Sequence, residues 1–188
     1  MTDIAQLHRR ALDETERAVA GVADDQMGNA TPCAGWDVRA LLNHLVSGNL
    51  WAAELGAGAT IEEVGTRLDG DLLGDDALGA FDASAKLAAA AFEAPGALER
   101  PCAVSYGPVP GSVYAGHRFI DVFVHGWDLA TATGQDTTLD PELVEAAHEL
   151  LVAEADLVRA SGMFGDDLSV PADASRQVRM LAFIGREG

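Results

Sequence analysis

The chain has 188 residues, enough for one domain with a sizeable core, and its composition (48% apolar, 22% charged) is that of a globular protein. Its 12 basic and 30 acidic residues leave a net charge of −18 and a pI near 4.3, a field that repels nucleic acid and anionic lipid surfaces and excludes both as partners. No apolar run approaches the ~20 residues of a membrane span, and the start of the chain lacks an apolar signal region, so a cytoplasmic protein is expected.

In chain order, residues 3–20 read as an amphipathic helix with Ile4, Leu7, Ala11, Ala18 and Val19 near one stripe and Gly21 as its stop. TPCAG at 31–35 is a loop. Asp37 then caps a helix that runs to about Leu55. Thr60 and Glu63 form a capping box for a short helix over 61–68. An Ala-rich helix covers about 75–94. Residues 97–112 carry Pro101, Pro108 and Pro110 and read as an irregular connection, with 102–106 as the one reasonable strand candidate. The next helix spans about 112–133 with Gly134 as its cap. Asp140 and Pro141 start another that runs to about Ser161, and residues 175–185 form a last short helix. Four long helices with short connections predict an all-α, four-helix bundle filling a single domain over 1–188.

Cys33 and Cys102 belong to no CxxC pair, so there is no thiol-rich metal signature and no support for a disulfide. The helix over 112–133 poses a sharper question. Asp121 and His125 lie four residues apart, on one face, inside a nearly continuous apolar run that includes Val122, Phe123, Val124, Leu129 and Ala130. Three readings are open: a local hydrogen bond in which Asp121 orients His125, an exposed flank, or a metal site. A buried carboxylate is costly unless it is paired or coordinates an ion. His44 occupies an equally apolar stretch among Leu41, Leu42, Leu45 and Val46. Two histidines and one carboxylate on two packed helices are the ingredients of a three-ligand site with an open position.

His117 lies on the same stripe, one turn before Asp121. A rise of 1.5 Å per residue puts it roughly 12 Å from His125, too far for both to hold one ion. His125 is preferred because His117 sits in the less apolar start of the helix, where it lines the cavity or faces solvent. His8, followed by Arg9 and Arg10, and His148, in an acidic helix, read as surface residues. Trp51 projects from the same helix face as His44, where it would floor a ligand cavity or pack in the core. Trp36 and Trp127 read as packing residues.

The blocks TPCAGWDVRALLNHLVSGN and DVFVHGWDLATATG resemble the DinB-like metal-binding superfamily of four-helix bundles. The nearest branch is the actinobacterial one that contains the N-terminal domain of mycothiol-dependent maleylpyruvate isomerase; the closing VPADASRQVRMLAFIGRE is similar to its small stand-alone members. The resemblance implies a divalent metal, zinc or nickel, held by His44, Asp121 and His125. It also implies a low-molecular-weight thiol such as mycothiol acting on a small electrophilic substrate, by isomerisation or S-transfer. Asp121 stands where the isomerase has glutamate, so an ion would sit closer to this helix or bind more weakly. The isomerase also carries a further C-terminal domain for which this chain leaves no room, which separates the family resemblance from that one reaction.

Two other readings stand beside it. In a metal-dependent hydrolase the ion would activate water, with Asp128 as the candidate base; the rival role for Asp128 is to fix an imidazole. In a non-catalytic binding module the ion would staple helices, which normally takes four protein ligands, and Cys33 or a partner's histidine would have to supply the fourth. Arg39 and Arg118 lie on the right helices to meet an anionic ligand, but neither spacing points inward. The bundle would work as a monomer or a homodimer.

Overall fold

The computed structural model describes residues 3–162 and 164–188, in two compact units, Met1–Asp136 and Thr137–Gly188. The first unit is a four-helix bundle of α1 (Ile4–Ala20), α2 (Val38–Ala57), α4 (Ala77–Glu93) and α5 (Gly111–Thr133). α1 packs chiefly on α5, and α2 on α4. Each start has a chemical cause. The carboxylates of Asp3, Asp37 and Asp76 accept the free N–H groups of the first turns of α1, α2 and α4. Thr60 and Glu63 form the capping box of the short α3 (Ile61–Val64).

The core lies where the apolar stripes meet. α4 contributes Phe81, Ala85, Ala88 and Phe92 at three- and four-residue spacing, and α5 is buried almost all round, with Phe119 and Phe123 stacked. Burying each such side chain stabilises the fold by roughly 1.5–3 kcal/mol. α1 and α5 approach closely at Gly126, where a Cβ would lie 2.5 Å from the Thr15 hydroxyl; Thr15 Oγ1 in turn donates to the Val122 carbonyl at 3.0 Å. No helix among the described residues is long and apolar enough to cross a membrane.

Two expectations for this unit need correction, while the absence of support for a disulfide stands. Residues 97–112 are not irregular throughout: β1 (Pro101–Val104) pairs antiparallel with β2 (Gly107–Pro110) in a hairpin closed by Ser105 and Tyr106. Prolines at 108 and 110 hide β2 from propensity, yet a two-stranded edge tolerates them because no further strand needs their missing N–H groups. His8 is not a surface residue. It is fully buried, its ring edge-on to Phe92 at 5.1 Å between centroids. Cys33 and Cys102 are separate thiols.

In the second unit the helix expected over 141–161 divides at Glu154 (φ −108°, ψ 23°) into α6 (Pro141–Ala153) and α7 (Ala155–Ser161). α6 packs on α8 (Arg176–Phe183). Gln177 bridges the residues before α6, donating to the Thr137 carbonyl at 2.8 Å and accepting from the Leu139 N–H at 3.0 Å.

Candidate metal centre

α2 and α5 bring His44, Asp121 and His125 together. On α5, Asp121 and His125 are one turn apart and Asp128 follows three residues later, so all three project along one stripe. Asp121 Oδ1 lies 3.3 Å from His44 Nε2 and 3.7 Å from His125 Nε2. One donor atom from each residue lies within 4.8 Å of the other two. Two ligands at zinc-type bond lengths on a tetrahedral ion stand roughly 3.4 Å apart, so the two nitrogens and one oxygen fit the donor set and the span of such an ion.

The other nitrogen of His125 is fixed. Its Nδ1–H donates to Asp128 Oδ2 at 2.9 Å, and Asp128 has no solvent exposure. In the neutral ring that bond selects the tautomer in which Nε2 presents its lone pair toward Asp121 and His44. The Cys33 thiol donates to the same Asp128 oxygen at 3.2 Å and lies 3.6 Å from His125 Nδ1. Cys33 therefore belongs to a second group, Cys33–His125–Asp128, on the opposite edge of the imidazole from the triad.

Asp121 is held from behind as well. Buried Arg118 donates from Nη1 to Asp121 Oδ2 at 2.8 Å, leaving Oδ1 for the histidines. Arg118 thus points inward, which its spacing did not indicate. Burial by itself raises the Asp121 carboxyl, but the Arg118 guanidinium, His125 and His44 outweigh it and hold the group well below the usual carboxylate range. Burial lowers His125, yet Asp121 and the hydrogen bond to Asp128 more than reverse this and push it up to about 10.

Trp36 forms the wall, its ring 4.7 Å from that of His44 and 5.9 Å from that of His125 between centroids. The loop before α2 carries it there. Thr31 Oγ1 donates to the Trp36 carbonyl and accepts from the Cys33 N–H, while Asn29 and Gln26 donate to the carbonyls of Ala132 and Thr133 at the end of α5. Trp36 is thus a site residue rather than a packing residue. The two residues expected to line the cavity lie elsewhere. Trp51 packs against an apolar cluster that includes Phe92, Cys102 and Tyr114, and His117 Nδ1 is hydrogen-bonded to the Tyr106 hydroxyl at the hairpin turn.

The model of the mycothiol maleylpyruvate isomerase N-terminal domain family matches residues 8–130, a span that contains His44, Asp121, His125 and Asp128. Two uncharacterized proteins from two strains of Mycobacterium tuberculosis are each 38% identical over 98% of this chain and 98% of their own length. Among solved structures, the mycothiol-dependent maleylpyruvate isomerase superposes with a TM-score of 0.62 at 18% identity, over 80% of this chain and 67% of that one. A histidine-to-alanine mutant of that enzyme superposes with a TM-score of 0.63 at 17% identity, over the same shares. At these identities the superpositions speak for the shared fold.

Proposed function

The chain belongs to the mycothiol maleylpyruvate isomerase N-terminal domain family, and we propose that it holds a divalent metal ion, zinc or nickel, on His44, Asp121 and His125 and uses it with a low-molecular-weight thiol. What carries the reading is the mutual distance of the three donor atoms, all within 4.8 Å, beside an imidazole already oriented by a buried carboxylate. A coordinated thiol gives up its proton, and this is the chemistry the ion would supply.

The chain's own residues divide the remaining work. Asp128 keeps His125 in the ligating tautomer. Arg118 holds Asp121 in register. Trp36 walls one side of the site and keeps bulk water off it. The substrate would be a small electrophile to which the thiolate sulfur adds; expulsion of the thiol after bond rotation gives isomerisation, and its retention gives S-transfer. Mycothiol is the thiol and maleylpyruvate the electrophile named for the solved relative, so they are the first pair to test. The cytoplasm, where thiols stay reduced, suits this chemistry.

The hydrolytic reading is weaker because Asp128, its candidate base, is engaged by His125 and Cys33. The stapling reading is weaker because Cys33 lies on the Nδ1 edge of His125, away from the triad. The test is turnover of maleylpyruvate by zinc-loaded protein, followed with mycothiol present and absent. Activity that needs both zinc and thiol is the expected result. Activity unchanged when the thiol is omitted would contradict it and favour hydrolysis.

A further inference from the structure

Arg118 does more than an orienting hydrogen bond requires. Its side chain is 9% exposed, and only Nη1 is engaged, on Asp121 Oδ2; Nε and Nη2 have no hydrogen-bond partner among the described residues. The guanidinium lies against Gly48 of α2, where a Cβ would stand 2.5 Å from Nη2 and 2.6 Å from Nη1. Any larger residue at 48 would displace it. A neutral donor would steer Asp121 equally well and would not repel an incoming cation. A full positive charge, left with two unpartnered donor atoms in the protein interior, needs another reason.

The charge balance supplies one. The centre contains two carboxylates, Asp121 and Asp128, and one guanidinium, Arg118, around two imidazoles that ligate as neutral rings. With a divalent ion added, one positive charge is left over. Without Arg118 the same assembly would be neutral and suited to a neutral fourth ligand such as water. A half-buried centre avoids net charge, so with Arg118 in place the open position favours a ligand carrying a single negative charge. The chain as a whole, at −18, repels such a ligand, which makes a local cation more necessary.

We propose that Arg118, seated on Gly48, is the positioning residue that sets this centre to accept a singly charged anionic ligand, a thiolate, in preference to a neutral one. The inference rests on the metal reading above and names the ligand class of that site.

The experiment uses Co2+-loaded wild type, Arg118→Met, Arg118→Lys and Gly48→Ala. The probes are 2-mercaptoethanol as thiolate donor, followed by its sulfur-to-cobalt charge-transfer absorption, and imidazole as neutral donor, followed by the ligand-field bands. A unit charge roughly 6–12 Å away at an effective dielectric of about 20 changes anion affinity by roughly 10- to 100-fold. Arg118→Met removes the hydrogen bond to Asp121 along with the charge, so it is expected to keep Co2+ with reduced affinity and to lose thiolate affinity by that factor beyond any loss for imidazole. Arg118→Lys is expected to recover most of the loss. Gly48→Ala, which displaces the guanidinium without deleting it, is expected to weaken thiolate selectively; it decides the matter if Arg118→Met does not fold. Unchanged thiolate affinity, or equal losses for thiolate and imidazole, would overturn the inference while leaving the metal site standing. Failure of the wild type to take up Co2+ would overturn the metal reading and this inference with it.

Discussion

Nδ1 of His125 lies 2.9 Å from Oδ2 of Asp128, a carboxylate with no exposure to solvent. One hydrogen bond thereby decides which nitrogen gives up its proton to a metal ion: Nδ1 keeps its proton on Asp128, and in the neutral ring Nε2 becomes the lone pair that faces Asp121 and His44. Asp128→Asn keeps the shape and an acceptor oxygen but removes the charge. It is expected to weaken metal binding by about 10- to 100-fold, measured by competition with a chelating dye, with the fold retained. Wild-type affinity in this variant would mean that Asp128 is a packing partner only.

The electrostatics give metal uptake a pH dependence with a definite sign. In the ion-free protein His125 is pushed up to about 10 while Asp121 is held low. At neutral pH His125 therefore carries a proton that a metal ion must displace. Calorimetry in buffers of different ionisation enthalpy should report about one proton released per ion, with affinity rising with pH. The same shift affects folding. His125 is raised above its unfolded value, so its contribution to ion-free stability is complete below pH 6.5 and is lost as pH rises through about 10. Thermal melts of chelated protein should show this loss, and His125→Gln should remove it.

His8 behaves in the opposite way. Burial, with help from Arg118 and Arg9, pushes it down to about 3, and neither ring nitrogen has a partner among the described residues. A depressed basic group binds protons more readily in the unfolded chain. Stability is therefore lost as pH falls from 6.5 toward 3, by about 2 kcal/mol at pH 5. His8→Leu fills similar space and gives up no hydrogen bond. Melting curves should show it at least as stable as wild type at pH 8 and clearly more stable at pH 5. A variant less stable at both pH values would mean that the imidazole is stabilised by a hydrogen-bond partner in the folded protein.

How much of this could be read from the sequence depended on where each side chain's neighbours come from. His44, Asp121 and His125 were legible because each interrupts an apolar helical run, and a polar group there needs a reason within its own helix. Cys33 and Trp36 were not, since their position depends on the Thr31 hydroxyl and on Asn29 and Gln26 tying the loop to the end of α5. Arg118 turns inward only because Gly48, on another helix, makes room for it. His8 was masked by Arg9 and Arg10 beside it, although its burial follows the three- and four-residue stripe through Leu7, Ala11 and Thr15. The bundle and its caps were plain from Asp and Gly placement; β2 and the division at Glu154 were not, because prolines in a strand and a local bend leave no periodic signal.

Trp36 offers a direct optical reporter. Its ring lies beside both histidines, and the chain has only three tryptophans, at 36, 51 and 127. In a Trp51→Phe, Trp127→Phe background, Ni2+ or Co2+ should quench most of the remaining emission and Zn2+ should not. The same ions added to Trp36→Phe should quench far less. Equal quenching in the two proteins would place the ion somewhere other than the triad.

The most direct test is metal content by plasma mass spectrometry, on wild type, His44→Ala, Asp121→Ala and His125→Ala, each purified without an affinity-metal column. About one divalent ion per folded wild-type chain is expected, with loss of that ion in all three variants while circular dichroism shows them folded. A wild type that takes up no ion after reconstitution, or variants that keep it, would contradict the central claim that His44, Asp121 and His125 form a metal site.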